Sequence, residues 1–352
     1  MNNIKAEYFS LNKILLLAIG LWPYQQSNFT RFQFILLSNI LTTNIIFQVK
    51  NLLEQLLHVC NELKDENEIA IINECRYNSK CYTMALTVLA VVSIIAFITA
   101  SFWSNILDII LSTNASRSHH LLIMTEYFID QEKYFYFILL HNIASVCIGT
   151  IAMLATGTIL IMYFQYTTGM FKIASYRIKR AMNVDMLQNI KQKNILIYKG
   201  LICAVDIHRQ AMRLSQHFIS SFEAMMFCLI IVGVVSVSLN LFRIFQVASV
   251  TKNVKELITP IIFAIATIVY MFIANYVGQT ITNHNQHVFI TAYNVRWYFA
   301  PLYIQRMILF LLQRNSRNFT LNIGGLFDAS IECFATLVKT SVSYFTVIYS
   351  TR

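Results

Sequence analysis

YFYFILLHNIASVCIGTIAMLATGTILIMYFQYTTGMF, residues Tyr134–Phe171, contains no charged side chain in 38 consecutive positions. As one helix it would be roughly 57 Å long at 1.5 Å per residue. The hydrocarbon core of a bilayer is about 30 Å thick, which about 20 residues cross. The stretch therefore predicts a membrane-spanning helix, with its crossing near 134–166, that continues well past the bilayer. Working outward, further apolar runs predict crossings near 32–49, 84–103, 224–242, 258–277 and 326–348. The expected fold is all-α: a single polytopic bundle over residues 1–352.

Composition agrees. The chain has 352 residues, 57% hydrophobic and 12% charged, against about 25% charged in soluble proteins. The 26 Phe and 18 Tyr suit helices that meet lipid and line aromatic cavities. The short apolar run Ile14–Leu21 ends in Trp22-Pro23 and lacks a small-residue cleavage site, so no cleaved leader is expected.

The net charge of +10 is concentrated. Between Phe171 and Ser215 lie Lys172, Arg177, Lys179, Arg180, Lys191, Lys193, Lys199, Arg209 and Arg213, against Asp185 and Asp206. A basic block between apolar spans marks a cytoplasmic loop, not a nucleic-acid surface. Asn105–Lys133 is then outside, and its sequon Asn114-Ala115-Ser116 is the candidate glycosylation site. The sequons at Asn28 and Asn318 fall on the inner side, and the C-terminus is expected outside. Lys50–Lys80 repeats leucines and isoleucines at helical spacing among acidic residues and predicts an extramembrane helix pair.

Catalytic and metal-binding patterns are absent from the sequence. The seven cysteines form no C-x-x-C pair, and no phosphate-binding glycine loop or nucleophile elbow occurs. His284 and His287 stand three residues apart with no carboxylate or Cys nearby in sequence and read as a hydrogen-bonded loop. His119-His120 reads as an exposed loop pair. His141 reads as a hydrogen-bonded core histidine or a cavity-lining group. No enzyme activity, cofactor or metal is expected. In the last span Asp328, Glu332 and Lys339 fall within about 60° of one another on a helix. Charge inside a membrane is costly unless it faces water or a partner. The three are either a salt-bridged helix foot or part of a pore wall.

Several motifs together resemble the insect odorant receptor family. Gly20-Leu21-Trp22-Pro23 resembles the motif before its first helix. Glu126–Asp130 followed by Lys133–Tyr136 is similar to the lead-in to its fourth, and Asn275–Gln279 to the end of its sixth. Tyr293–Arg296 with Trp297-Tyr298 is similar to the loop before its seventh. LVKTSVSYFTVIYS, Leu337–Ser350, resembles its C-terminal signature.

The resemblance implies seven helices with the N-terminus inside and the C-terminus outside. It also implies a multi-pass protein of the plasma membrane, in the dendrites of olfactory neurons. An odour-tuning subunit of this family assembles with a shared co-receptor into a heterotetrameric channel for monovalent and divalent cations. The last helices line one pore, with the gate at positions matching Val347 and Thr351. The cytoplasmic anchor would be about 167–215 and 279–313. A small volatile ligand would bind in the outer half among Ile94, Phe97, Ile98, Ser101, Phe102, Phe137, His141, Asn142, Ser145, Phe263, Thr267 and Tyr270.

One departure stands out. The family places two helices before the first cytoplasmic loop, and here Phe32–Val49 is alone. The expectation is that the second helix and its loop, about 40–50 residues, are missing around Phe47–Lys50, which would make this a truncated copy that does not function. Three other readings are a gustatory-type receptor, a metabotropic seven-helix receptor, and a transporter or membrane enzyme. The tail departs from the Thr-Tyr…Gln-Phe pattern of the first. The second would carry Asp-Arg-Tyr and Asn-Pro-x-x-Tyr motifs. The third would show inverted halves or a reactive constellation.

Overall fold

The computed structural model describes residues 65–102, 133–183, 190–250, 254–314 and 319–351, with Leu63 and ten helical positions between Phe32 and Glu54. The chain divides into two units, Met1–Lys64 and Asp65–Arg352. In the first unit the described positions from Phe32 to Glu54 are helical and exposed. Lys50 and Glu54 form an i,i+4 pair at 3.7 Å. At the proposed deletion point only Phe47 and Lys50 are described, and both are helical.

The second unit is built from long helices: α1 (Glu66–Ser101), α2 (Phe135–Met182), α3 (Ile190–Val250), α4 (Val254–Asn294), α5 (Leu302–Arg314) and α6 (Ile331–Ser350). All except α5 are long and apolar enough to cross a membrane. Their lengths exceed what a bilayer requires. At 1.5 Å per residue α2 runs about 72 Å and α3 about 92 Å. Only α6, with 20 residues, matches the bilayer.

The structure corrects two expectations here. Residues 66–80 are not a separate extramembrane helix, because Glu66 and Ser101 end one continuous helix of 36 residues. No Gly or Pro interrupts this stretch, so the amphipathic segment simply extends the apolar one. The last helix begins at Ile331, not 326. Asn322–Ile323 (β1) and Phe327–Asp328 (β2) pair as a small antiparallel hairpin. Gly324 and Gly325 turn it with φ of 66° and 70°. Two successive positive φ values define the tight hairpin turn that glycine adopts without steric cost.

α6 starts from a cap. The Ser330 side chain accepts a hydrogen bond from the Cys333 amide at 3.0 Å, which satisfies one of the orphan donors of the first turn. The Ser330 amide donates to Asn275 Oδ1 at 3.3 Å, and Asn275 Nδ2 donates to the Met271 carbonyl at 2.9 Å. This ties the start of α6 to the middle of α4. α6 then packs its Leu337 into Val234, Val237 and Met271. Ser238 Oγ of α3 donates to the buried Ser341 carbonyl at 2.9 Å.

α5 is amphipathic. Ile304, Ile308 and Leu311 recur at i, i+4, i+7 and are buried, while Phe310 and Leu302 are exposed.

Candidate functional site

α6 carries two faces. Leu337 and Ser341 are buried. On the opposite face Glu332, Thr336, Lys339, Ser343, Thr346, Val347 and Ser350 are exposed. At 100° per residue these seven lie within about 100° of one another and are centred about 130° around the helix from Leu337. Three of the four hydroxyls along this stripe are satisfied by their own helix. Thr336 donates to the Glu332 carbonyl at 3.0 Å, Thr346 to that of Ser343 at 2.7 Å, and Ser350 to that of Val347 at 2.9 Å. Such back-bonding lets a hydroxyl sit on a membrane helix without an external partner. Thr351, the C-terminal cap of α6, donates to the Val347 carbonyl as well. Asp328 does not share this face. It lies in β2, accepting a hydrogen bond from Asn322 Nδ2 at 2.9 Å. The expected triad of charges on one helix is therefore a pair, Glu332 and Lys339, separated by two turns.

The positions expected to line the ligand pocket sit on three helices. On α1, Ile94, Phe97 and Ile98 are half-buried, as is Phe102 just beyond its end. Ser101 is the last residue of that helix. On α2, Asn142 is buried, whereas Phe137, His141 and Ser145 are exposed. On α4, Thr267 is half-buried, while Phe263 and Tyr270 are exposed. Thr267 donates to the Phe263 carbonyl at 2.8 Å. Met271, four residues on from Thr267, packs against the buried Gly233 of α3, where a Cβ would come within 3.2 Å of its sulfur. Asn114 lies outside the described residues, as do the motifs at 20–23 and 126–130.

The opposite ends of the helices, near the basic block, are joined by polar contacts. Arg177 of α2 grips Glu68 of α1 with two parallel bonds of 2.6 and 2.7 Å and donates to the Cys203 carbonyl of α3 at 3.1 Å. One guanidinium thus holds three helices, a geometry that its planar fork suits. Lys172 pairs with Glu74 at 3.1 Å, and Arg180 with Asp65. Buried beneath, His208 of α3 shares a 2.8 Å hydrogen bond with Asn285 of α4. Phe171 and Phe289 pack edge-on against its ring at 5.7 and 5.2 Å. The Tyr163 hydroxyl donates to the Leu214 carbonyl at 2.6 Å while its ring stacks on Phe218.

His284 and His287, expected in a loop, are helical, because α4 continues unbroken to Asn294. Beside them is a cavity of about 480 Å³. α2 contributes Lys172, Ser175, Tyr176 and Lys179, at i, i+3, i+4, i+7; α4 contributes Asn283, His284 and His287. Ser175 Oγ lies 3.3 Å from His287 Nδ1. The i, i+3, i+4, i+7 stripe on α2 is readable from sequence. Its meeting with α4, more than 100 residues away, is not.

Five helices long and apolar enough to cross a bilayer define a multi-pass membrane protein. The sequence model of the family described as 7tm Odorant receptor matches residues 28–342. The chain belongs to this family, whose members are receptors. No curated protein matches the sequence. Among solved structures the chain is similar to the insect olfactory receptor OR5 from Machilis hrabei, with a TM-score of 0.66, 12% identity and 99% of each chain covered. It is also similar to that receptor in complex with eugenol, with a TM-score of 0.60, 12% identity and 100% of each chain covered. At that identity the likeness establishes the fold: an all-α bundle of the insect olfactory receptor type.

Proposed function

We propose that this chain is an odour-tuning subunit that binds small volatile molecules in its outer half and, with a co-receptor, gates a cation-conducting pore in the plasma membrane of olfactory neurons. The observation that carries this reading is the polar face of α6. A helix of bilayer length with Glu332, Thr336, Lys339, Ser343, Thr346 and Ser350 on the face turned away from its own bundle is costly against lipid. Lining a water-filled pore at the centre of a tetramer removes that cost. Val347 and Thr351, near the far end of the same helix, are the proposed gate. Glu332 and Lys339 are the proposed charged positions of the wall, and Asp328 belongs to the hairpin that holds its start.

The proposed odorant pocket is lined by the outer-half residues of α1, α2 and α4 named above. Apolar side chains with a few polar groups such as His141, Asn142 and Thr267 suit a small, mostly apolar ligand. The eugenol complex of the Machilis hrabei receptor supports a ligand of this size class. Odorant that binds the open arrangement better than the closed one would shift the population toward it.

Cysteine accessibility tests the pore. With Thr336→Cys or Ser343→Cys co-expressed with a co-receptor, a charged thiol reagent should block odour-evoked current. A Leu337→Cys control on the buried face should be insensitive. Equal block at all three positions would sink the pore assignment.

The deletion proposal sets the form in which this reading is tested: the odour-evoked currents above are those of the chain with its second helix restored. Asp65, Glu68 and Glu74 pack against the basic end of α2, so the start of α1 is on the inner side. One apolar stretch, Phe32–Val49, precedes it in the sequence. An N-terminus inside needs two crossings there. Inserting one family-type helix and loop at Phe47–Lys50 should restore surface expression and odour response. A full response from the chain as it stands would refute the deletion.

A further inference from the structure

We propose that the cavity between the inner ends of α2 and α4 binds a phosphorylated polyol anion of the inositol phosphate class. The walls supply donors from two sides. Lys172 and Lys179 bring ammonium groups, His284 and His287 imidazoles, and Ser175 and Asn283 hydroxyl and amide groups, with Tyr176 completing the wall. No carboxylate lines the cavity. Its volume of about 480 Å³ falls in the range of small-molecule sites, about 300–1,000 Å³. That is far more than the roughly 30 Å³ of one water.

The charges nearby leave an excess of positive groups. Asp65, Glu68 and Glu74 are matched by Arg180, Arg177 and Lys172 respectively. Lys179 has no counter-charge among the described residues. His284 makes no hydrogen bond among them. The Tyr176 hydroxyl is fixed by accepting from Asn67 Nδ2 at 2.9 Å and donating to Asp65. A donor-lined, carboxylate-free cavity with spare positive charge is complementary to an anion with several acceptor oxygens. It is ill suited to a neutral volatile molecule. The cavity lies at the basic, cytoplasmic end of the helices, where basic pockets between membrane helices hold phosphorylated lipid head groups. The same chemistry is presented by an inner-leaflet lipid and by a soluble inositol phosphate.

Titration of the purified full-length protein with dioctanoyl phosphatidylinositol 4,5-bisphosphate, and separately with inositol 1,4,5-trisphosphate, tests the site. Saturable binding of at least one is expected. Binding of both with similar affinity assigns a soluble anion or free head group; binding of the lipid alone assigns the inner leaflet. Lys179→Gln should weaken binding about fivefold, as loss of one cation near a membrane surface does, and Lys179→Arg should retain it. Lys199→Gln, at an exposed lysine of the same basic block outside the cavity, should leave binding unchanged. Lys179 is exposed, so its substitution spares the core; elution as a single sharp peak verifies each variant. Absence of saturable binding of either probe overturns the proposal, and so does an equal loss with Lys199→Gln.

Discussion

The two ends of the helices are built differently. Between Ile143 and Met162 no residue of α2 is buried, whereas from Tyr163 to Ile178 most are. α1 behaves the same way: Glu68, Cys75 and Ser79 are buried, and no described residue after Ser79 is. The inner half is a packed, polar-bonded assembly in which Arg177, His208 and Tyr163 each join separate helices. Beyond it, α1 and α2 carry mostly exposed apolar side chains, apart from the buried Phe135, Ile138, Leu139 and Asn142 at the start of α2. A region that must admit and release a ligand belongs at the loosely packed end, and a region that must hold subunits in place belongs at the tight one. On the proposed function, the contrast would divide recognition from anchoring along the length of single helices.

The contrast can be broken most severely at Arg177. Arg177→Ala would leave Glu68 buried without a partner. The cost is about 3 kcal/mol, at the low end for a broken buried pair because the Arg177 side chain is 23% exposed. A large fall in the Tm of the solubilised protein should follow. The double change Arg177→Leu with Glu68→Leu should recover much of it, and no recovery would mean that the charges themselves are required.

Gly278→Ala comes next. A Cβ there would meet the Ala329 carbonyl oxygen at 2.7 Å and its side chain closer still. The expected loss is about 1–3 kcal/mol, read as a lower Tm, because backbone next to the α6 cap would have to move. Asn285→Leu removes the partner of buried His208 and should cost about 1–3 kcal/mol. A double-mutant cycle with His208→Phe should show coupling; strict additivity would mean that the 2.8 Å contact contributes nothing.

The smallest stability effects sharpen the other side. Phe137→Ala and Tyr270→Phe, at exposed outer-half positions, should each change stability by less than about 0.5 kcal/mol while altering the odour dose–response with the co-receptor. A large drop in Tm with either would show the outer half to be as tightly packed as the inner.

Much of this was legible in the sequence. The uncharged run Tyr134–Phe171 required a long membrane helix, and Phe135–Met182 forms one of 48 residues. Gly324-Gly325 marked a break, but its form as a hairpin was hidden. Two-residue strands carry no periodicity, and Asp328 read as helical because Leu326 and Phe327 beside it are apolar. The histidines at 284 and 287 read as a loop because a span of about 20 residues was assumed to end near Val277. A helix can leave the bilayer and continue wherever protein packs against it, and α4 does so against α2 and α3.

Membrane-spanning length and helix content are properties of local composition, and the sequence by itself determined them. Contacts between residues far apart in the chain required the tertiary structure: Arg177 with Glu68, His208 with Asn285, and the lysines of α2 facing the histidines of α4. The polar face of α6 shows both levels at once. Its spacing was written in the sequence, but which face was turned from the bundle was decided by where Leu337 and Ser341 found their partners in α3 and α4. A helical period defines the angle between two faces, and only packing determines which of them is buried.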